Sequence, residues 1–125
     1  MRSPCAPAFV QLQPGATHTL VLTGELDRAS APMLEAEIER LCEAGICGLT
    51  LDLSQLTYID PTGVAVVAFR SGLCKRRGVE VALIPGSRPV QRVFELAGVT
   101  DRVPFQQDPL GATGHDRRIT LGSRG

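Results

Sequence analysis

The stretch LDLSQLTYIDPTGVAVV, Leu51 to Val67, changes character partway along. Leu51 and Leu53 alternate with Asp52 and Ser54, the pattern of a strand with one buried face. From Val64 to Phe69 the chain is apolar without a gap, which suits a helix. Between the two lies Asp60-Pro61-Thr62-Gly63. Asp60 can accept a hydrogen bond from a free N–H of the following turn. Pro61 at the first helical position loses nothing, because its missing N–H had no partner there. Thr62 then falls in the first turn, beside unpaired N–H groups and the positive end of the helix dipole. Gly63 costs about 1 kcal/mol of helix propensity relative to alanine, and it leaves backbone uncovered where another protein could come close. The simplest reading of the corner is a well-built helix start in which Thr62 and Gly63 merely fit. The apolar run adds a second consideration. A helix with one face on a core does not need it, so the helix is either buried on two sides or keeps a side for a partner.

Working outward, strands and helices alternate. Gly48 to Ser54 is one strand, and Gln55 to Ile59 is a short link whose Leu56 and Ile59 point inward. The helix begun at Asp60 runs to about Arg76, and Gly78 stops it. Upstream, Ser30 can cap a helix that has Pro32 in its first turn and ends at Gly45, with the apolar stripe Leu34, Ile38, Leu41 and Cys42. Glu35, Glu37, Glu39, Arg40 and Glu43 form its solvated face. Before it, Ala8 to Leu12 and His18 to Leu26 read as two strands around a Pro14-Gly15 turn. Downstream, Val79 to Ile84 is a strand. Ser87 can cap a third helix that has Pro89 in its first turn and ends at Gly98, with the stripe Val90, Val93, Phe94 and Ala97, and Arg102 to Phe105 is a short last strand. The expected fold is α/β, a single small domain with a mixed central sheet of four to five strands flanked by helices. The expected divisions are a flexible N-terminus over 1–7, the domain over 8–105, and a disordered tail over 106–125, where glycine and charge replace periodicity.

Composition excludes several classes. The chain has 125 residues and a formal net charge of zero. No basic face or polybasic run points to nucleic acid or an anionic membrane. No apolar run approaches the roughly 20 residues that span a bilayer. The segment MRSPCAPAFVQLQPG lacks the apolar core of a secretory signal, so a cytoplasmic location is expected. The cysteines Cys5, Cys42, Cys47 and Cys74 form no CxxC pair and stand far in sequence from His18 and His115, which argues for reduced thiols over zinc or disulfides. Cys42 and Cys74 read as small core hydrophobes. GxxxxGK[ST] and GxGxxG are both missing, and neither histidine is placed as a general base. Asp52 and Asp60 bracket a strand end and could face Mg²⁺, but caps and surface charge explain them more simply. No cofactor, no metal and no catalytic residue is expected.

With GELD at 24–27, LDLSQLTYIDPTGVAVV at 51–67 and VEVALI at 79–84, the chain resembles the STAS domain family from about Phe9 to Phe105, and more narrowly its anti-sigma factor antagonists. The resemblance implies a non-enzymatic partner switch. The unphosphorylated antagonist binds an anti-sigma factor that is also a serine/threonine kinase and so releases a sigma factor. That kinase phosphorylates the antagonist, the complex dissociates, and a separate phosphatase restores the hydroxyl. The second small residue of the corner is the family's phosphoacceptor, here Thr62. The first is usually a serine or threonine; here it is Pro61, so Thr62 is the one acceptor at the corner. Glu25 and Asp27 match the family's docking segment, and Asp60, Pro61, Thr62, Gly63 and Val64 complete the expected partner-binding set. Monomer and weak homodimer both fit. The alternative is a constitutive STAS subunit of a transport or signalling complex.

Overall fold

The computed structural model describes residues 17–106 and 115–122. Its elements are β1 (Thr17–Leu26), α1 (Ala31–Glu43), β2 (Gly48–Asp52), β3 (Leu56–Ile59), α2 (Pro61–Arg76), β4 (Glu80–Ile84), α3 (Arg88–Ala97), a 3₁₀ turn (Thr100–Arg102) and β5 (His115–Thr120). β1 is the hub. The order is β3-β1-β2-β4, and β5 also pairs with β1. All four ladders are parallel. Parallel neighbours need crossover connections, which α1 supplies between β1 and β2, and the β3–α2 segment between β2 and β4. The mixed character expected of the sheet rests on a strand at Ala8 to Leu12, which lies outside the described residues. Among the described residues, antiparallel pairing is confined to the single bridge between Glu25 and Gly122.

The core is built mainly of leucine. Leu20, Leu22 and Leu26 alternate along β1 and are fully buried, and Leu49, Leu51 and Leu53 repeat the pattern in and after β2. α1 buries Leu34, Ile38 and Leu41 at helical spacing, and α3 buries Val90 and Phe94. The Phe94 ring meets Phe105 edge-on, with centroids 5.1 Å apart. Val93 is half-buried and Ala97 exposed, so the α3 stripe is narrower than its spacing implies.

The structure corrects the expected layout at four places. The link after β2 is the short strand β3, with Leu56 and Ile59 buried and Thr57 and Tyr58 exposed. Its four residues show no alternation; they become a strand by pairing with the end of β1. Arg102 to Phe105 is not a strand: a 3₁₀ turn ends at Arg102, and Phe105 makes one bridge to Leu83. The tail expected to be disordered contributes β5, which runs beside β1 from His18 to Thr23. The sequence HDRRIT has no strand alternation; the edge of β1 supplies the pairing, and Ile119 and Leu121 then join the core. Finally, Ser30 and Ser87 stand at helix starts without capping through their side chains. The Ser30 hydroxyl instead donates to the Glu25 carbonyl at 2.7 Å.

Past β5 the chain closes over Gly24. Leu121 N–H donates to the Thr23 carbonyl, and Glu25 N–H donates to the Gly122 carbonyl, both at 2.7 Å. Gly24 lies between them with φ +90°, and a Cβ there would come within 2.7 Å of the Leu121 carbonyl oxygen. Both the backbone conformation and the space require glycine. Gly24→Ala is expected to cost about 2 kcal/mol or more of stability, read as a lower urea midpoint at unchanged slope.

Candidate functional site

The corner forms where β1 ends against the start of α2. Asp60 N–H donates to the Leu26 carbonyl at 3.1 Å. Asp60 is extended, and its carboxylate accepts the Gly63 N–H at 2.8 Å, which caps α2 as expected. Pro61 occupies the first helical position and is exposed. The residue after Leu26 is Asp27, so the turn into α1 comes to lie beside the start of α2. Asp27 Oδ1 accepts the Ala29 and Ser30 N–H groups, each at 3.0 Å, and so shapes that turn.

Between the two turns lies an open cleft of about 380 Å³ lined by Asp27, Arg28, Ala29, Asp60 and Thr62. Thr62 is half-buried. Two carboxylates, one guanidinium and the positive end of a helix thus share one small surface with a hydroxyl. Such a site can dock a polar protein surface, and its affinity for that surface would respond to added charge.

Of the residues expected here, Asp27, Asp60 and Thr62 are brought together, with Pro61 exposed next to them. Two others, Gly63 and Val64, are placed in the interior instead. Gly63 is buried, and a Cβ there would lie 2.7 Å from the Leu26 carbonyl oxygen and 2.9 Å from Leu26 and Ile59 side-chain atoms. The close approach it permits is that of β1 within the chain, not that of another protein. Val64 is 1 % exposed and belongs to the core. Glu25 sits one residue back along β1, opposite Tyr58 in the ladder with β3, and does not line the cleft. Arg28 was not legible as a site residue; it follows the GELD segment, yet nothing in its spacing marks it.

The apolar run of α2 divides in two. Gly63, Val64, Val67, Ser71 and Cys74 face inward, while Ala65, Phe69 and Gly72 are exposed, Phe69 at 57 %. This second side continues along α2 from Thr62 at three- and four-residue steps, so cleft and exposed apolar stripe are contiguous. On the side toward α1, Arg70 pairs with Glu35 and Glu39, and Arg77 pairs with Glu39. The face of α1 read as solvated is therefore partly engaged with α2. Arg77 holds the Glu39 carboxyl below its usual range, first through their hydrogen bond.

The two aspartates considered for Mg²⁺ are occupied locally. Asp52 Oδ1 accepts from Ser54 N–H at 2.9 Å and Ser54 Oγ at 2.6 Å, and Asp60 caps α2. Among the described residues no group of three or more His, Cys, Asp or Glu is placed to hold a metal ion, and no helix is long and apolar enough to cross a membrane.

A leucine-rich parallel sheet, a strand–corner–helix element and a hydroxyl in the first turn now stand together, and the STAS domain model matches residues 10–112. The chain belongs to the STAS domain family. It is 31 % identical over 90 residues to the anti-sigma-B factor antagonist of Bacillus subtilis, covering 72 % of this chain and 82 % of that one. It is 26 % identical over 92 residues to the anti-sigma F factor antagonist of Paenibacillus polymyxa, covering 73 % and 79 %. Among solved structures, the anti-sigma factor antagonist SpoIIAA in its unphosphorylated form superposes with a TM-score of 0.60 at 21 % identity, over 78 % of this chain and 88 % of that one. SpoIIAA of Bacillus in its phosphorylated form superposes with a TM-score of 0.54 at 21 % identity, over 78 % and 91 %. At that identity the likeness to SpoIIAA is one of fold.

In this STAS domain the corner is first a joint of the fold. Asp60→Ala is expected to lower stability by about 1 kcal/mol through the lost cap. Gly63→Ala is expected to lower it by more, about 2–4 kcal/mol, because the contact it violates is with backbone. Denaturant unfolding of both variants checks the order.

Proposed function

We propose that this STAS domain is an anti-sigma factor antagonist acting in the cytoplasm. It docks an anti-sigma factor on the cleft at the start of α2, and phosphorylation of Thr62 switches that docking off. The observation that carries the reading is the position of Thr62: it lines an open cleft with Asp27, Arg28 and Asp60, away from the core. The names of its curated relatives support the antagonist role.

The physical chemistry of the switch follows from the corner. A phosphate on Thr62 adds about −1.5 to −2 charge. It would sit at a helix N-terminus, which receives anions well, so α2 keeps its fold. Asp27 and Asp60 already make the cleft acidic, and Arg28 offsets only one of their charges. A partner surface matched to the unmodified cleft then meets extra bulk and extra negative charge, and docking weakens. The exposed Ala65 and Phe69 extend the docking surface along α2. The phosphate would come from the ATP of an anti-sigma factor that is itself a serine/threonine kinase, and a phosphatase would reset the site.

A second reading is favoured by the exposed Pro61. Its ring stiffens the segment that a kinase must reshape, which suits a constitutive interaction subunit of a transport or signalling complex. The two readings differ in the partner recovered from cell extract. A transporter ATPase would favour the second, and a sigma-regulatory kinase the first.

Incubation with the captured kinase and ATP is expected to place one phosphate on Thr62, seen by mass spectrometry and lost in Thr62→Ala. Continued absence of phosphate, with a kinase that binds the protein, would refute the switch. Thr62→Glu is expected to weaken partner binding at least about tenfold, some 1.4 kcal/mol, with unfolding unchanged. Equal affinities in calorimetry would contradict the proposed role of charge.

A further inference from the structure

Far from Thr62, α1 and α2 bring two sulfurs together. Cys42 Sγ and Cys74 Sγ lie 3.6 Å apart, although 32 positions separate them in sequence. Both are free thiols. A disulfide bond is about 2.0 Å long, so closure needs an approach of roughly 1.6 Å. The helices are already held together around the pair: Glu39 on α1 receives both Arg70 of α2 and Arg77, the residue that follows α2. Cys74 is 2 % exposed, whereas Cys42 is half-buried and open to a small reagent.

We propose that Cys42 and Cys74 form a reversible oxidation site, at which hydrogen peroxide or an alkyl hydroperoxide converts the two thiols into a disulfide that staples α1 to α2. Cys42 Sγ attacks one peroxide oxygen; the O–O bond breaks, an S–O bond forms, and the other oxygen leaves as water or alcohol. Cys74 Sγ then attacks the sulfenic sulfur of Cys42; the S–O bond breaks, the S–S bond forms, and water leaves. The two thiols lose two electrons and two protons in all, and the peroxide takes them up.

The division of labour follows from the surroundings. The Cys42 thiol is drawn down to about 7, chiefly by the hydrogen bond from Cys74, with the Arg77 guanidinium adding to it. A thiolate is the form that attacks peroxide. The Cys74 thiol is pushed up, because its hydrogen serves that bond and because it is buried. Cys42 therefore reacts first and Cys74 resolves, an order that exposure alone also requires. The pair lies 12 residues along α2 from Thr62, about 18 Å at 1.5 Å per residue. Oxidation there neither needs nor blocks a phosphate at the cleft.

The test treats the unaltered chain with hydrogen peroxide, alkylates the remaining thiols and digests with trypsin. The number of reactive thiols is expected to fall from the four in the sequence to two. A dithiothreitol-sensitive cross-link is expected between the peptides spanning 41–70 and 71–75, lighter by two hydrogens than their sum. The same cross-link in Cys47→Ala assigns it to Cys42. In Cys74→Ala the cross-link is lost, and Cys42 becomes trappable by dimedone as its sulfenic acid. Four thiols persisting under peroxide that oxidises a free model thiol would overturn the proposal. So would a cross-link through Cys5 or Cys47 instead, or Cys42 passing to sulfinic acid with Cys74 still free.

Discussion

The contact on which the rest of the site depends is made by the Leu26 carbonyl. It closes the last turn of β1 onto α2 by accepting the Asp60 N–H, and it lies where a side chain on residue 63 would have to go. Leu26 is itself fully buried. The end of the central strand and the start of the exposed helix are thereby fixed against each other with no side chain between them. Close approach of two backbone segments is the constraint that glycine satisfies. Because Asp27 follows Leu26 and Thr62 precedes Gly63, the same joint sets the width of the cleft. The site is thus an outcome of packing, and a change at the joint would be felt as a change of fold before it was felt as a change of docking.

The cleft combines groups that serve the fold with groups that do not. The carboxylates of Asp27 and Asp60 are engaged with backbone N–H groups of the two turns. Their geometry is set by those bonds, yet their charge still reaches the cleft. Thr62 and Arg28 project from these turns with no part in the caps. The Thr62 hydroxyl thus stands beside carboxylates whose positions are set by their bonds to backbone N–H groups. The exposed apolar side of α2 at Ala65 and Phe69 continues from the cleft along the same helix.

The far half of α2 is held in a different way. Arg70 and Arg77 reach Glu35 and Glu39 across the gap to α1. Exposed pairs of this kind contribute little stability singly. Their effect here is geometric: they keep the helices in register around Cys42 and Cys74. One helix therefore carries the cleft hydroxyl of Thr62 at its first turn and a thiol contact at its last, with apolar packing between.

Much of this was readable along the chain because it is encoded locally. The alternation of Leu20 with Leu22 and of Leu49, Leu51 and Leu53, the stripe of α1, and the Asp60-Pro61 start of α2 each depend on neighbours a few residues away. Periodicity and capping chemistry report such elements directly. What required tertiary structure was whatever another strand or helix decides. β3 and β5 lack a pattern of their own and exist because β1 offers them unpaired backbone groups. Gly63 and Val64 looked like surface and proved to be interior, because sequence does not say which side of α2 meets β1. Arg28 joined the cleft, and Cys42 met Cys74, through contacts between elements distant in sequence. Local order follows from short-range backbone sterics and hydrogen bonding, whereas a site is made by where separate elements touch, and only the packed core determines that.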